Sequence, residues 1–310
     1  MSKIAAIVGA GLVGRAWAIV FARAGWTVRL HDPAPEAAAA ALALVGQGMR
    51  ELAAHGLVDD PEAALDRVSI AASLEAAVEG AALVQENGPE RLAIKVEIFE
   101  ALDRAAPPGA ILASSTSAIP PSAFTVGLAG RARCLVGHPV NPPHLIPLVE
   151  LCGAPWTAPE TIARAHALYE AVGQAPIVVR REVEGFVLNR LQGALLTEAF
   201  HLVREGVVSP DDLDRTMRDG LGLRWAFMGP FETIELNAPG GIPDYVARYG
   251  PFYRRVAGAA PGDAAWDEAA LDAVTAARRA IPPEDHANMQ AWRDGRLAGL
   301  VAHKRHVESG

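Results

Sequence analysis

Short apolar runs alternate with longer stretches of helical periodicity through the first part of the chain. Residues 3–8 (Lys-Ile-Ala-Ala-Ile-Val) predict a strand, 12–24 a helix and 27–31 a second strand. The alanine-rich stretch 35–55 predicts a helix, read as a solvated amphipathic one. Further strands are expected at 68–71, 82–85, 111–113, 134–137, 148–151 and 177–179. Apolar strands separated by helices are what a parallel sheet with helices on both faces requires. Beyond Val179 the pattern is helical only, at 186–205, at 210–220 and in several more stretches to the C-terminus. The expected architecture is α/β: a doubly wound sheet over 1–184, then an all-helical domain over 185–310. No internal repeat and no low-complexity linker interrupts it.

Composition narrows the function classes. With 310 residues of which 51% are hydrophobic, two unequal domains can each bury a core. A formal charge of −8 argues against nucleic acid as a partner, which needs a basic face. Cys134 and Cys152 have no metal-ligand spacing, so no metal site and no disulfide framework is expected, and a reducing compartment fits. No stretch reads as a leader or as a membrane span. A cytoplasmic location is the expectation.

Chemistry enters at Gly9-Ala10-Gly11-Leu12-Val13-Gly14, between the first strand and the first helix. Gly9 permits a tight turn, Gly11 lets the backbone approach a pyrophosphate, and Gly14 lets helix and strand pack closely. The first-turn amides, including those of Leu12 and Val13, then offer donors and a partial positive charge to the phosphates. Asp32 ends the second strand, roughly 20 residues on, where a carboxylate accepts both ribose hydroxyls of an adenosine. Together these features define a Rossmann-type domain for NAD. Asp32 would repel a 2′-phosphate, and Pro33-Ala34 brings no arginine to neutralise one.

A second set of polar residues is more scattered. Ser117 closes Ser114-Ser115-Thr116-Ser117 after the strand at 111–113, and His138 follows the strand at 134–137. Glu150 lies inside the apolar run Leu148-Val149-Glu150-Leu151, and Asn189 shares a helical stripe with Phe186, Leu196 and Phe200. Strand ends of an open parallel sheet border its ligand crevice. A carboxylate or amide at an apolar position demands a partner. Singly, each also has a structural explanation: turn chemistry for Ser117, a cap or ion pair for Glu150, a satisfied ring for His138, a helix-to-backbone tie for Asn189.

The motifs taken together resemble the 3-hydroxyacyl-CoA dehydrogenase family, and within it the lambda-crystallin and L-gulonate 3-dehydrogenase branch. The likeness runs through Gln85-Glu86, Ser114-Ser115-Thr116-Ser117, His138-Pro139-Val140-Asn141-Pro142-Pro143 and Pro147-Leu148-Val149-Glu150-Leu151. It continues through Gly185-Phe186-Val187-Leu188-Asn189-Arg190, Gly222-Leu223-Arg224-Trp225-Ala226 and Gly229-Pro230. The resemblance implies that His138 is the general base, that Glu150 orients its ring, and that Ser117 and Asn189 donate to the substrate oxygen. It also implies places near the nicotinamide ribose for Glu86 and Lys95, a cofactor contact for Ser117, and a homodimer built through the helical domain.

One departure bears on the substrate. Where the CoA-thioester branch has a glycine, an aromatic residue and a proline ahead of Met-Gly-Pro, this chain has Leu223-Arg224-Trp225-Ala226-Phe227 before Met228-Gly229-Pro230. A guanidinium fork suits a free carboxylate, so Arg224 is a candidate substrate contact; a surface ion pair with Asp219 or Glu232 is the alternative. A small hydroxy acid, of the sugar-acid kind, leads as substrate. A 3-hydroxyacyl-CoA such as 3-hydroxybutyryl-CoA comes second and carnitine third. Non-enzymatic readings, a catalytically idle crystallin-like NAD-binding protein or a redox-sensing regulator, meet two obstacles. His138 and Glu150 are both retained, and no basic or partner-binding module is evident.

Overall fold

The computed structural model describes residues 3–258, 272 and 283–308. Strand β1 (Ile4–Val8) leads to α1 (Leu12–Arg23), β2 (Thr27–His31), α2 (Pro35–Ala53), α3 (Pro61–Leu65) and β3 (Val68–Ile70). Then come α4 (Leu74–Val78), β4 (Leu83–Glu86), α5 (Leu92–Ala105), β5 (Ile111–Ser114), α6 (Pro121–Thr125), β6 (Cys134–Pro139), β7 (Leu148–Gly153), α7 (Pro159–Ala171) and β8 (Ala175–Val179). The strands form one eight-stranded sheet of order β3-β2-β1-β4-β5-β6-β7-β8. Because successive strand residues face opposite sides, β1 divides its apolar side chains between two cores. Ala5 and Ile7 join a cluster with Trp17, Phe21 and Tyr169, while Ala6 and Val8 join Val84, Phe99 and Phe124. Trp17 and Phe21 of α1, Tyr169 of α7 and Trp26 pack ring against ring, the Phe21–Trp26 pair edge to face.

The sheet is not wholly parallel, as the strand–helix alternation had suggested. β7 runs antiparallel to β6, while the other pairings are parallel. Only residues 140–147 link the two strands, and a parallel crossover needs a dozen residues or more. His138 is correspondingly not beyond the strand end but inside β6.

After the sheet come α8 (Leu188–Arg204), α9 (Pro210–Thr216), a wide π turn at Met217–Leu221, α10 (Gly222–Trp225), α11 (Pro230–Leu236) and α12 (Gly241–Gly258). The helix expected over 210–220 is therefore split, its last turns loosened into π geometry. Any helix expected within 259–282, except at residue 272, lies outside the described residues. The C-terminal helix, Pro283–Glu308, follows.

By its contacts the chain forms two compact units, Met1–Asn189 with Asn288–Gly310, and Arg190–Ala287. The sequence expectation had given everything after 184 to one helical domain. The difference arises because Ala298 is buried in the first unit's core, with Leu297 and Val301 packed against it. Asn189 also falls in the first unit. No described helix is long and apolar enough to cross a membrane.

Candidate active site

Strand order reverses between β1 and β4, which opens a crevice at their C-terminal ends. Gly9 turns the chain there at φ +95°, and a Cβ on it would come within 2.8 Å of the Asn87 carbonyl oxygen. A Cβ on Gly14 would sit 1.9 Å from the Gly9 oxygen, so α1 meets the turn backbone to backbone. Gly11 differs, since a Cβ there would touch nothing within 4 Å. Open space thus fronts the first turn of α1, whose amides, among them Leu12 and Val13, have no acceptor within the helix. Asp32 braces this loop, its Oδ2 accepting from Ala10 N at 2.8 Å and its Oδ1 from Ala34 N at 3.0 Å. Each oxygen keeps a lone pair for a further donor. Gly9, Gly11, Asp32, Asn87 and Ile98 line a cleft of about 730 Å³. Its size, the open glycine turn and the free acceptor positions on Asp32 fit a dinucleotide.

Glu86 and Lys95 lie beneath the loop that follows β4, and both are wholly buried. Lys95 Nζ sits 3.0 Å from each oxygen of Glu86 and 3.2 Å from the Gly88 carbonyl. Ser114 Oγ and Gly88 N complete the carboxylate's partners, each at 2.6 Å. Two opposite charges enclosed together answer one another's desolvation. In this arrangement they brace the crevice wall.

Glu90, which the sequence reading did not single out, organises the serine loop. Its Oε1 accepts from Thr116 Oγ1 at 2.5 Å, Ser117 N at 3.0 Å and Ala118 N at 3.1 Å, with Ser117 Oγ at 3.4 Å. Lys95 Nζ stands 3.7 Å from its other oxygen. Partial burial pushes this carboxyl's pKa up, but the Thr116 bond, Lys95 and the backbone donors outweigh it and hold it below the ordinary range. An acidic residue in a loop at a strand's crevice end was the available signal.

His138 and Glu150 stand directly opposite one another on β6 and β7. Opposed residues of an antiparallel pair point to the same face, and His138 Nδ1 meets Glu150 Oε2 at 2.8 Å. Glu150 is fully enclosed. Its Oε1 accepts from Val187 N at 2.8 Å and Leu188 N at 3.0 Å. Burial alone would raise its pKa, yet the bonds from His138, Leu188 and Val187 bring it below the usual carboxylate value. Gly185 and Phe186 both take positive φ, +74° and +49°. This left-handed turn, rare for an aromatic residue, leads straight into the two amides that grip Glu150. It also buries the Phe186 ring 5.6 Å from that of His138. One residue further, Asn189 Nδ2 donates to the Ser117 carbonyl at 2.8 Å, tying the start of α8 to the serine loop. His138, Glu150, Asn189, Ser117 and Glu90 are thereby joined in one continuous set of contacts.

Arg224 belongs to the second unit, exposed on α10. Neither expected partner holds it: Asp219 pairs with Arg218 at 2.8 Å, and Glu232 accepts from Gly229 N at 2.6 Å. It lies close enough to Tyr245 to act electrostatically on that hydroxyl.

A histidine whose Nδ1 is fixed on a buried carboxylate presents Nε2 as its basic nitrogen, which can accept a proton. The larger cavity at Asp103, Pro107 and Arg133, about 960 Å³, lies at the N-terminal ends of β4–β6, away from the crevice, and holds none of these residues. Among the described residues no cluster suits a metal ion.

A switch-point cleft for a dinucleotide, with a histidine–carboxylate pair two strands beyond it, defines the layout of a nicotinamide-dependent dehydrogenase. The profile of the 3-hydroxyacyl-CoA dehydrogenase NAD binding domain matches residues 4–183, and that of the family's C-terminal domain matches residues 185–260. The chain belongs to the 3-hydroxyacyl-CoA dehydrogenase family, and NAD is its cofactor. A lambda-crystallin homolog of Bos taurus is 44% identical, covering 97% of this chain and 96% of its own. An L-carnitine dehydrogenase of Pseudomonas putida is 36% identical, covering 96% and 93%. Among solved structures, a 5-formyl-3-hydroxy-2-methylpyridine 4-carboxylic acid 5-dehydrogenase, described as an NAD+-dependent dismutase, superposes with TM-score 0.85. It is 31% identical, with 99% of each chain covered.

Proposed function

We propose that this chain oxidises the 3-hydroxyl of a small free hydroxy acid, a sugar acid of the L-gulonate kind, with His138 as general base. The observation that carries this reading is the enclosed His138–Glu150 pair at 2.8 Å. Glu150 keeps the proton on Nδ1 and stabilises the imidazolium that forms when Nε2 takes the hydroxyl proton. Ser117 Oγ, turning from its long 3.4 Å bond to Glu90, and the second N–H of Asn189 donate to the substrate oxygen as its charge changes. NAD supplies the hydride acceptor. Arg224, held by neither Asp219 nor Glu232, takes the carboxylate. The likeness to a dehydrogenase of a free carboxylic acid supports that choice over a thioester. The L-carnitine dehydrogenase relative supports a second reading, in which the hydroxy acid carries a quaternary ammonium.

The second unit exposes Leu195, Leu223, Phe227, Phe231 and Leu236, an apolar surface that suits a homodimer. Assaying L-gulonate, 3-hydroxybutyrate, L-carnitine and 3-hydroxybutyryl-CoA with NAD by the absorbance of NADH tests the substrate. The free hydroxy acid is expected to give the highest kcat/KM. His138→Ala is expected to lose about 10²–10⁴-fold in kcat. Turnover of the CoA ester alone would refute the free-acid reading. A His138→Ala enzyme of near-normal kcat would remove the base.

A further inference from the structure

Gln85 places an amide in the middle of the sheet, on β4, with no exposed surface. Its Nε2 donates to the Gly137 carbonyl at 3.2 Å and to Ser115 Oγ at 2.7 Å, and its Oε1 accepts from the Tyr169 hydroxyl. Ser115 Oγ accepts from Trp17 Nε1 as well, at 3.1 Å, and sends its own proton to Asn87 Oδ1 at 2.8 Å. Asn87 Nδ2 then donates to the carbonyls of Gln85 at 2.8 Å and Val8 at 3.3 Å. Every donor in this set has an acceptor.

The direction of each bond is determined, because a carbonyl only accepts and an indole N–H only donates. The Gly137 carbonyl fixes which end of the Gln85 amide is nitrogen. Trp17 and that nitrogen make Ser115 Oγ an acceptor, leaving its proton for Asn87. Burial pushes the Tyr169 phenol well above its ordinary value, so it keeps its proton and donates. The phenol also fills the face of β6 at this point: a Cβ on Gly137 would stand 2.6 Å from its oxygen.

Stability alone does not call for such a network, since apolar groups of the same shape in place of paired buried polar ones are often neutral or stabilising. A satisfied network instead holds one geometry. The three segments tied here are those the reaction must keep in step. Asn87 lines the cofactor cleft, and its carbonyl packs against Gly9. Ser115 lies two residues before Ser117 in the serine loop. The Gly137 carbonyl belongs to the peptide bond that joins Gly137 to His138.

We infer that Gln85, anchored by Tyr169, is a positioning residue that fixes the spacing of the NAD-binding turn, the serine loop and the strand carrying His138. Being wholly enclosed, it acts through these segments and not by contact with substrate. The inference rests on the roles proposed for His138 and Ser117. Displacing a reacting group by about 1 Å can cost about 10²-fold in rate.

Tyr169→Phe, Gln85→Met and the double variant test it, in the full chain with NAD and the hydroxy acid of highest kcat/KM, with hydrogen or deuterium at the carbon that gives up hydride. Tyr169→Phe is expected to lower kcat about tenfold and Gln85→Met up to about 10²-fold. A primary deuterium isotope effect on kcat is expected in both, the mark of slowed hydride transfer. NADH dissociation constants, read from nucleotide fluorescence, are expected to stay within about threefold of native. The double variant should lose no more than Gln85→Met alone, because Tyr169 acts through the amide. A Tyr169→Phe kcat within about threefold of native would overturn the inference. So would losses that multiply in the double variant, a lowered kcat without an isotope effect, or a fall in kcat matched by an equal loss of NADH affinity. Tyr169→Phe removes a single oxygen and decides alone if Gln85→Met does not fold. Failure of the base assignment shows separately, as a His138→Ala enzyme of near-normal kcat.

Discussion

Replacing Glu150 by glutamine keeps the shape of the site and removes one charge. In the native arrangement Oε1 accepts two backbone amides and Oε2 accepts from His138 Nδ1. A glutamine has one oxygen, and Val187 N and Leu188 N, both fixed donors, will claim it. Its NH₂ group then faces Nδ1, which must become an acceptor, so the ring proton moves to Nε2. The base is thereby placed in the wrong tautomer. Losing a charge-assisted bond to the imidazolium costs about 1.5–3 kcal/mol, roughly a 10–150-fold fall in kcat, and the tautomer change takes the loss toward the ~10²–10⁴-fold a positioned base provides. NAD affinity should hold, because Asp32 and the glycine loop are untouched. The variant also changes acid stability in a definite sense. Glu150 has a depressed pKa in the folded chain, so its stabilisation is present above the unfolded carboxylate value and is lost as pH falls through the folded one. The glutamine enzyme should therefore lose less stability than the native one on acidification. Steady-state NADH absorbance gives kcat, and thermal melts at pH 7 and at successive steps below pH 4 give the stability slopes. A kcat within about threefold of native, with an unchanged pH–rate profile, would refute the pairing argument.

Other outcomes follow from single features. Asp32→Ser should narrow the preference for NAD over NADP, read from kcat/KM with each cofactor; equal use of both by the native enzyme would contradict the ribose assignment. Arg224→Met should raise KM for the hydroxy acid by about 2–4 kcal/mol equivalent without moving NAD affinity, and Arg224→Lys should recover only part of it. Burial pushes both thiols, Cys134 and Cys152, up to about 12, so neither should react with a disulfide reagent at pH 8 until the chain is unfolded.

The strands were legible because each is an apolar run bounded by turn residues, and β2 falls on the expected 27–31. The direction of β7 was not read from its composition, which is that of any buried strand, although the short 140–147 connection carried the answer. The glycine loop and Asp32 could be placed from spacing, since one local chain segment holds the whole cradle. The His138–Glu150 contact could not, because it depends on register between strands. Nothing in the letters Gly185-Phe186 announces a left-handed aromatic residue, so the turn that delivers two amides to Glu150 stayed hidden. The return of the C-terminal helix to the first unit was equally invisible, because Ala298 reads as an ordinary helical alanine until the surface it covers is known.

The opposed placement of His138 and Glu150 on neighbouring strands makes the pair sensitive to frame rather than to length. Pairing from Leu135↔Gly153 to Pro139↔Val149 fixes which side chains share a face. A shift of one residue would bring Val149 or Leu151 opposite His138 and carry Glu150 to the other side of the sheet. The connection at 140–147 can therefore lengthen, shorten or exchange its residues over evolutionary time without disturbing this contact, provided the two strands keep step. Insertions within either strand have no such freedom.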